Sequence, residues 1–231
     1  VFLQYCLAGI SIGGIYALIA IGYTMVYGIL RLINFAHGDI FMMAAYFMIF
    51  AMVDFAIPWY ISMIIMIIAT VVLGVIIEKV AYAPLRSAPR MSVMISAIGV
   101  SYLLQNVATY LFSALPKSYP SIPVLNKTIH LGDVSTSLVT FITPIITIGF
   151  VLLLMAMIKY TKVGMAMRAV SKDFETAQLM GIKINSVISL TFVIGCFLAA
   201  VGSMLYFTPR PSVYPLVGSL PGLKCFIAAV F

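Results

Sequence analysis

Three polar side chains, Asn34, His37 and Asp39, interrupt a long apolar stretch near the start of the chain. If this stretch lies in a membrane, its non-helical backbone must be buried in protein or line water, and an ionisable side chain there is a candidate functional group. With Gly38, these residues are therefore candidates for a substrate path at membrane depth. The alternative is a cytoplasmic turn in which Asp39 caps the next helix. One histidine and one aspartate are too few ligands for a metal ion, so we expect no metal site.

A second set of polar residues recurs in the apolar run 91–116. Ser101, Gln105 and Thr109 are spaced four residues apart, which places them on one face of a helix. A comparable face on the first apolar run carries four residues: Tyr16, Tyr23, Thr24 and Tyr27. Such side chains either form hydrogen bonds between helices or line a polar path. The candidate path residues from these two faces are Tyr23, Ser101, Gln105 and Thr109.

The largest group of charges lies in one segment, 159–183, between two apolar stretches. Within it, Ser171 is suited to begin a helix as its N-cap, and Gly181 is suited to end it. Asp173 and Glu175 would follow near the first turn, where the helix dipole favours anions. A small apolar face is formed by three residues: Val170, Phe174 and Ala177. A helix of this kind either rests on lipid headgroups or docks into a soluble partner.

The composition decides which class of protein carries these groups. Of the 231 residues, 64% are hydrophobic and only 8% are charged, compared with about 25% charged residues in a typical soluble domain. So few charges cannot cover the surface of a soluble domain, which excludes cytosolic enzymes, secreted domains and disordered chains. No familiar catalytic motif is present, and we expect this chain not to be an enzyme. The three cysteines lie in apolar runs and are expected to be small buried residues.

Six apolar stretches are candidates for membrane-spanning helices, because a span needs about 20 apolar residues. They are 1–30, 40–53, 55–77, 91–116, 134–158 and 184–209, and a seventh candidate begins near Leu216. The stretch 40–53 is short for a complete span and is consistent with a half-helix that follows a break. We therefore predict an all-α fold, a polytopic transmembrane helix bundle with about six or seven spans or half-spans.

The basic residues predict the orientation of these helices, because cytoplasmic loops are enriched in Lys and Arg. Nine of the 13 basic residues fall in three segments that alternate correctly with the spans: Arg31, Lys79, Arg86, Arg90, Lys159, Lys162, Arg168, Lys172 and Lys183. We assign these segments to the cytoplasmic side, and the N-terminus and the loop 117–133 to the outside. Orientation then accounts for the net charge of +7, and we expect no nucleic-acid partner.

Several motifs occur together along nearly the whole chain. They are segment 14–28, Ile33-Asn-Phe-Ala-His-Gly-Asp39, Glu78-Lys-Val-Ala-Tyr-Ala-Pro-Leu-Arg86, Ile95-Ser-Ala-Ile-Gly99, Leu104-Gln-Asn106 and Gly164-Met-Ala-Met-Arg-Ala169. This combination resembles the membrane permease subunit of branched-chain amino acid ABC importers. In addition, Glu175-x-Ala177-x-x-x-Gly181 is similar to the coupling motif by which ABC permeases contact their ATPase, with Thr176 in place of its middle alanine.

The resemblance implies an importer made of two permease subunits, two cytoplasmic ATPases and an external substrate-binding protein, in the inner membrane of a prokaryotic cell. ATP would be bound by the ATPase partners, and this chain would hold no cofactor. Residues 1–231 would form a single transmembrane permease domain surrounded by lipid, with 159–183 as its cytoplasmic coupling loop. Coupling to the ATPase would then involve six residues: Arg168, Asp173, Phe174, Glu175, Ala177 and Gly181.

The implied substrates are leucine, isoleucine and valine. Acidic residues are nearly absent from the centres of the spans, which favours an energy source outside this subunit. Two alternatives stay open: a related ABC permease for urea, short amides or other amino acids, and a self-contained secondary transporter or channel. Members of the family continue beyond the position of Phe231, so we expect the chain to be part of a longer protein.

Overall fold

The computed structural model describes residues 2–30, 34–86, 88–126, 128–131 and 134–230, which form a bundle of long helices. Six segments are long and apolar enough to cross a membrane: Gln4–Ile29, His37–Asp54, Trp59–Leu85, Met91–Phe112, Leu138–Tyr160 and Ile184–Phe207. Each corresponds to one of the six predicted apolar stretches. The prediction of an all-α polytopic bundle is thus confirmed.

The helices are α1 (Phe2–Leu30), α2 (His37–Ile49), α3 (Trp59–Ile77), α4 (Arg90–Phe112), α5 (Leu138–Tyr160), α6 (Lys162–Lys172), α7 (Phe174–Leu179), α8 (Ile184–Phe207) and α9 (Ser219–Val230). α2 continues as a π-helical turn, Phe50–Asp54, and α3 as a π-helical turn, Glu78–Tyr82, followed by a 3₁₀ turn, Ala83–Leu85. Four short strands form two antiparallel pairs: β1 (Lys117–Ser118) with β4 (Ser212–Val213), and β2 (Thr128–Leu131) with β3 (Val134–Ser137).

The centre of the bundle is formed by α2 and α8. Every residue of α2 from Ile40 to Tyr46 is buried, as expected for a helix that is apolar on all sides. On α8, Gly195, Ala199 and Ser203 recur every four residues and are buried. Small residues at this spacing let neighbouring backbones approach closely, which is the main source of helix packing in lipid.

The outer helices α3, α4 and α5 each expose an apolar face. The exposed side chains include Ile64, Ile68, Val72, Tyr102, Leu103, Tyr110, Ile145, Ile148 and Leu152. In water such a surface would be unfavourable, but lipid tails are as apolar as these side chains. The faces are therefore consistent with a membrane around the bundle.

Two predicted stretches differ from the observed elements. The stretch 134–158 begins as β3, and the helix starts only at Leu138, because residues 134–137 pair with β2 in a hairpin. The seventh candidate near Leu216 corresponds to α9, which begins at Ser219, three residues later than predicted.

Candidate functional site

Asp39 lies at the centre of a hydrogen-bonded cluster between α2 and α4. Ser101 Oγ donates to Asp39 Oδ2 over 2.5 Å, and Gln105 Nε2 donates to Oδ1 over 3.0 Å. The α2 N-terminus has no side-chain cap, so Asp39 bonds to the neighbouring helix instead of its own. The alternative in which Asp39 caps α2 is therefore wrong. The cluster joins the polar break before α2 to the polar face predicted on α4.

The start of α2 lies about halfway along two other helices. Ser101, which contacts Asp39, is eleven residues after Arg90, the first residue of the 23-residue α4. His37 lies beside Gly195, which is eleven residues after the first residue of the 24-residue α8. At 1.5 Å per residue, both positions are about 16 Å from the ends of helices that span the bilayer. The start of α2 therefore lies near the middle of two membrane-spanning helices, which favours a break at membrane depth over a cytoplasmic turn.

A cavity of about 490 Å³ opens beside the Asp39 cluster, between α1, α2, α4 and α9. Its polar walls come from Tyr23, Asp39, Ser101 and Gln105, with the Gly38 backbone between them. Its apolar walls are formed mainly by Phe35, Ile98, Leu216, Leu223 and Phe226. This size is in the range typical of small-molecule sites, about 300–1,000 Å³.

Two glycines, Gly218 just before α9 and Gly222 within it, let the backbone there pack closely against Gly38, next to Asp39. A Cβ on Gly218 would collide with the Gly38 carbonyl, and a Cβ on Gly38 would lie 2.6 Å from the Gly218 carbonyl oxygen. A Cβ on Gly222 would be a tight contact, 3.0 Å from Gly38 Cα. This contact was not among the predictions from the sequence. The signal was the Gly218-x-x-x-Gly222 spacing, which is typical of close backbone approach in membranes.

Three predicted path residues do not line this cavity. Asn34 is buried and its Oδ1 accepts a hydrogen bond from Tyr82 Oη at 2.7 Å. His37 is buried with its ring centroid 4.6 Å from that of Tyr23. Thr109 is exposed on α4 and donates back to the Gln105 carbonyl, a bond common for threonine in helices. Of the candidate path residues, the cavity therefore brings together Tyr23, Gly38, Asp39, Ser101 and Gln105.

The predicted single helix in the charged segment is two helices. Ser171 lies within α6, where its Oγ donates to the Arg168 carbonyl, so its predicted role as an N-cap is wrong. Asp173 is the N-cap of α7, and its Oδ1 accepts from the Glu175 amide at 3.0 Å. The shorter α7 arises because the extended backbone at Asp173 separates it from α6. Gly181 ends the segment with a φ of +82°, a conformation that favours glycine.

Hydrogen bonds hold the Asp173 cap in its charged form. Thr176 Oγ1 donates to Asp173 Oδ2 over 2.5 Å, and together with the backbone amides of Thr176 and Glu175 it keeps the pKa of the Asp173 carboxyl below its usual range. Acceptance of these bonds by the carboxylate contributes to the order of α7 at neutral pH. That contribution is lost only when the pH falls through the lowered pKa.

The remaining predicted coupling residues are distributed over both helices. Glu175 is exposed, Phe174 is half-buried and Ala177 is buried against the bundle. Arg168 lies on α6, where its guanidinium donates to the Lys159 carbonyl over 3.4 Å. Two large apolar side chains of the segment, Leu179 and Met180, are 87% and 79% exposed. Together these residues form a surface at one end of the bundle that combines one acid with exposed apolar groups.

A buried ion pair in the turns that follow α3 is hydrogen-bonded to the first part of α8. Glu78 is fully buried, and it forms an ion pair with Arg86. Ser189 Oγ of α8 donates to the other carboxylate oxygen over 2.8 Å, and Arg86 also donates to Asn185. In the sequence, the segment 78–86 stands out only as part of a family motif. The bond from Ser189 to Glu78 could not be predicted from spacing, because the two residues are 111 positions apart.

A family model described as branched-chain amino acid transport system / permease component matches residues 5–231. The high-affinity branched-chain amino acid transport system permease protein LivH of Escherichia coli (strain K12) is 39% identical over 99% of this chain and 78% of its own length. LivH of Salmonella typhimurium is 40% identical and BraD of Pseudomonas aeruginosa, a permease protein of the same description, is 37% identical, with the same coverage.

No solved structure matches the chain. The family assignment therefore rests on the sequence matches, which extend over nearly all of the six spans and both polar regions described above. A match of this length and identity establishes membership. The chain belongs to the family of branched-chain amino acid transport system permease components.

Proposed function

We propose that this chain is a permease subunit of an ATP-driven importer that moves leucine, isoleucine and valine across the inner membrane of a prokaryotic cell. The observation that carries the proposal is the near-complete match to LivH and BraD, whose names describe branched-chain amino acid transport. Six helices that can span a membrane, with a cavity between α1, α2, α4 and α9, are consistent with such a role.

The segment α6–α7 is proposed as the contact with a cytoplasmic ATPase. Its exposed Glu175, Leu179 and Met180 provide a charged and an apolar group on one short helix. Beside them a cleft of about 620 Å³ lies between α6 and α7, with mostly apolar walls. The ATPase would bind ATP, and a second permease subunit, a second ATPase and an external substrate-binding protein would complete the importer.

The ion pair of Glu78 and Arg86 could transmit a movement at the proposed ATPase contact to the helices of the bundle. Arg86 is bonded to Asn185, close to the end of the coupling segment, and Tyr82 of the same π-helical turn is bonded to Asn34. A displacement of α7 would therefore shift Asn34, just before α2, through these hydrogen bonds. ATP-driven closure of the ATPases would shift the bundle between inward-open and outward-open states, which is a two-state coupling.

The transport path is proposed to pass the cavity beside Asp39. In a background without Cys6, Cys196 and Cys225, Ser101→Cys is expected to react with a charged, water-soluble thiol reagent at least about tenfold faster than Leu104→Cys. Both positions are on α4, but Leu104 is buried and does not line the cavity. The measurement is the labelling rate in membranes, with and without ATP and leucine. Equal rates at the two positions in every state would contradict the path.

The same labelling experiment extends to the predicted path residues outside the cavity. Asn34→Cys and His37→Cys are expected to be protected in the conformation described here, because both side chains are buried. If the path includes them in another state, labelling will appear when ATP is added. Protection in every nucleotide state would restrict the path to the cavity residues.

Co-purification is the experiment that tests the proposed assembly. An affinity tag on this chain, expressed together with its genomic neighbours, is expected to retain an ATPase and a second permease subunit after detergent extraction. A self-contained transporter or channel would instead be purified alone and would transport without ATP. Recovery of the chain alone, with uptake that does not depend on ATP, would contradict the proposal.

A further inference from the structure

We propose that the Asp39 carboxylate is a binding subsite for the ammonium group of the transported amino acid. This inference rests on the proposed function, since it assigns a role to one group in the path of that importer. It goes further by stating which chemical feature of the substrate the permease recognises in the middle of the membrane.

The first observation is that Asp39 is buried and has no cationic partner among the described residues. Its side chain is 2% exposed, and the groups that hold it, Ser101 and Gln105, are both neutral donors. Within the residues that the structure describes, the ion pair of Arg86 with Glu78 is the only one, so no described cation compensates Asp39. A carboxylate at membrane depth is costly without a cationic partner. A substrate that carries an ammonium group would supply that partner.

The second observation is the number of hydrogen bonds that the carboxylate can still accept. An ionised carboxylate has about four acceptor sites, and the two protein donors use one on each oxygen. The remaining acceptor sites could accept hydrogen bonds from an ammonium group, which has three donors. Ser101 and Gln105 hold the carboxylate in place on the α4 side, so that its orientation does not depend on the substrate.

The third observation is the shape and composition of the adjoining cavity. Asp39 is the only charged residue among its lining groups, and the opposite walls are apolar side chains, among them Ile98, Leu223 and Phe226. A zwitterion with an aliphatic side chain matches this pattern, with its ammonium group on Asp39 and its side chain on the apolar wall. Urea, which is neutral and has no apolar part, would use neither feature.

The test uses the assembled permease–ATPase complex in lipid nanodiscs, without the binding protein, and measures binding of radiolabelled leucine. Two competitors each lack one group of leucine: 3-methylbutylamine lacks the carboxylate, and 4-methylpentanoate lacks the ammonium group. We expect the amine to compete at least about tenfold better than the acid. We also expect Asp39→Asn, which keeps the size of the side chain, to weaken leucine binding at least about tenfold, because the ion pair is removed.

Two further variants serve as comparisons. Asp54→Asn makes the same change at an exposed aspartate at the end of α2's π-helical turn, outside the cavity, and should bind leucine as the unchanged protein does. Asp39→Glu keeps the charge and should retain part of the binding that Asp39→Asn loses. Recovery of the ATPase with each variant verifies that the complex assembles.

The subsite would be overturned by equal competition from the amine and the acid, or by unchanged leucine binding in Asp39→Asn. Absence of leucine binding to the unchanged complex would overturn it as well. In each of these cases, ATP-dependent leucine uptake by the same complex with its binding protein would leave the proposed function intact. Loss of that uptake in the unchanged complex would instead count against the proposed function itself.

Discussion

Replacing Gly181 with proline is expected to reduce ATP-dependent uptake at least about a hundredfold while leaving the chain inserted in the membrane. Gly181 has a φ of +82°, and its amide donates to the Gln178 carbonyl over 3.0 Å at the end of α7. Proline fixes φ near −65° and has no amide hydrogen, so it can satisfy neither requirement. The backbone after α7 would adopt a different conformation, and this change would displace the proposed ATPase contact.

The matched control at this position is Gly181→Asn. Asparagine tolerates a positive φ better than other residues with a side chain, and the position has open space where a Cβ would lie. This variant should therefore keep most of the uptake that the proline variant loses. Uptake and ATPase co-purification are measured on the same membranes. Normal uptake in Gly181→Pro would contradict the assignment of this segment to coupling.

Glu175 allows a second, independent test of the same surface. Because Glu175 is exposed in the first turn of α7, a change there should affect the partner contact more than the fold. Glu175→Lys is expected to abolish uptake and reduce ATPase recovery, and Glu175→Gln should have a smaller effect. Lys117→Glu reverses a charge near the opposite end of the bundle, beside β4, and should retain the ATPase. Equal ATPase recovery with all three variants would contradict the predicted contact.

Removal of Arg86 is expected to be the most destabilising single change at the end of the bundle that we predict to face the cytoplasm. Arg86→Ala would leave the buried Glu78 carboxylate without its cation, and breaking a buried ion pair by removing one partner costs about 3–5 kcal/mol. The lower end of that range is expected here, since the Arg86 side chain is still 22% exposed. For a domain of this size, about 3 kcal/mol corresponds to a decrease of roughly 6–12 °C in the unfolding midpoint.

The double variant Glu78→Leu with Arg86→Met distinguishes a lost ion pair from a lost side chain. Replacing both partners by apolar residues of similar volume is often close to neutral, because the desolvation cost disappears with the charges. Most of the stability lost in Arg86→Ala should therefore return. Lys79→Ala, an exposed neighbour, should change the midpoint by no more than about 2 °C. A double variant that is as unstable as Arg86→Ala would contradict this account of the pair.

The long apolar runs predicted the spans well, because membrane helices must satisfy their own backbone and require about 20 apolar residues. The polar face of α4 was also predictable, since helical periodicity places Ser101 and Gln105 together. The partner of that face, Asp39, was identified as a candidate, but its pairing with α4 was not, because periodicity carries no information on contacts between distant helices. Thr109 shares the spacing of the stripe, yet its hydroxyl bonds to its own helix.

The charged segment shows where local rules are ambiguous. Ser171 and Asp173 are both good N-cap residues and only two positions apart. The structure uses Asp173, because its carboxylate can accept from both Thr176 and Glu175, whereas Ser171 extends α6. The contribution of α9 was missed for a different reason. Gly218, just before α9, and Gly222, within it, contact Gly38, which is about 180 residues earlier in the chain. Their spacing indicates a close backbone approach but does not specify the partner.

We propose that this chain forms the path of an ATP-driven branched-chain amino acid importer, and uptake into proteoliposomes tests that role most directly. The assembled complex is reconstituted with its binding protein, and radiolabelled leucine uptake is measured with ATP, without ATP, and with excess isoleucine or urea. We predict uptake that requires ATP, is suppressed by isoleucine and is unaffected by urea. Uptake that proceeds without ATP, or a complex that transports urea and not leucine, would contradict the account.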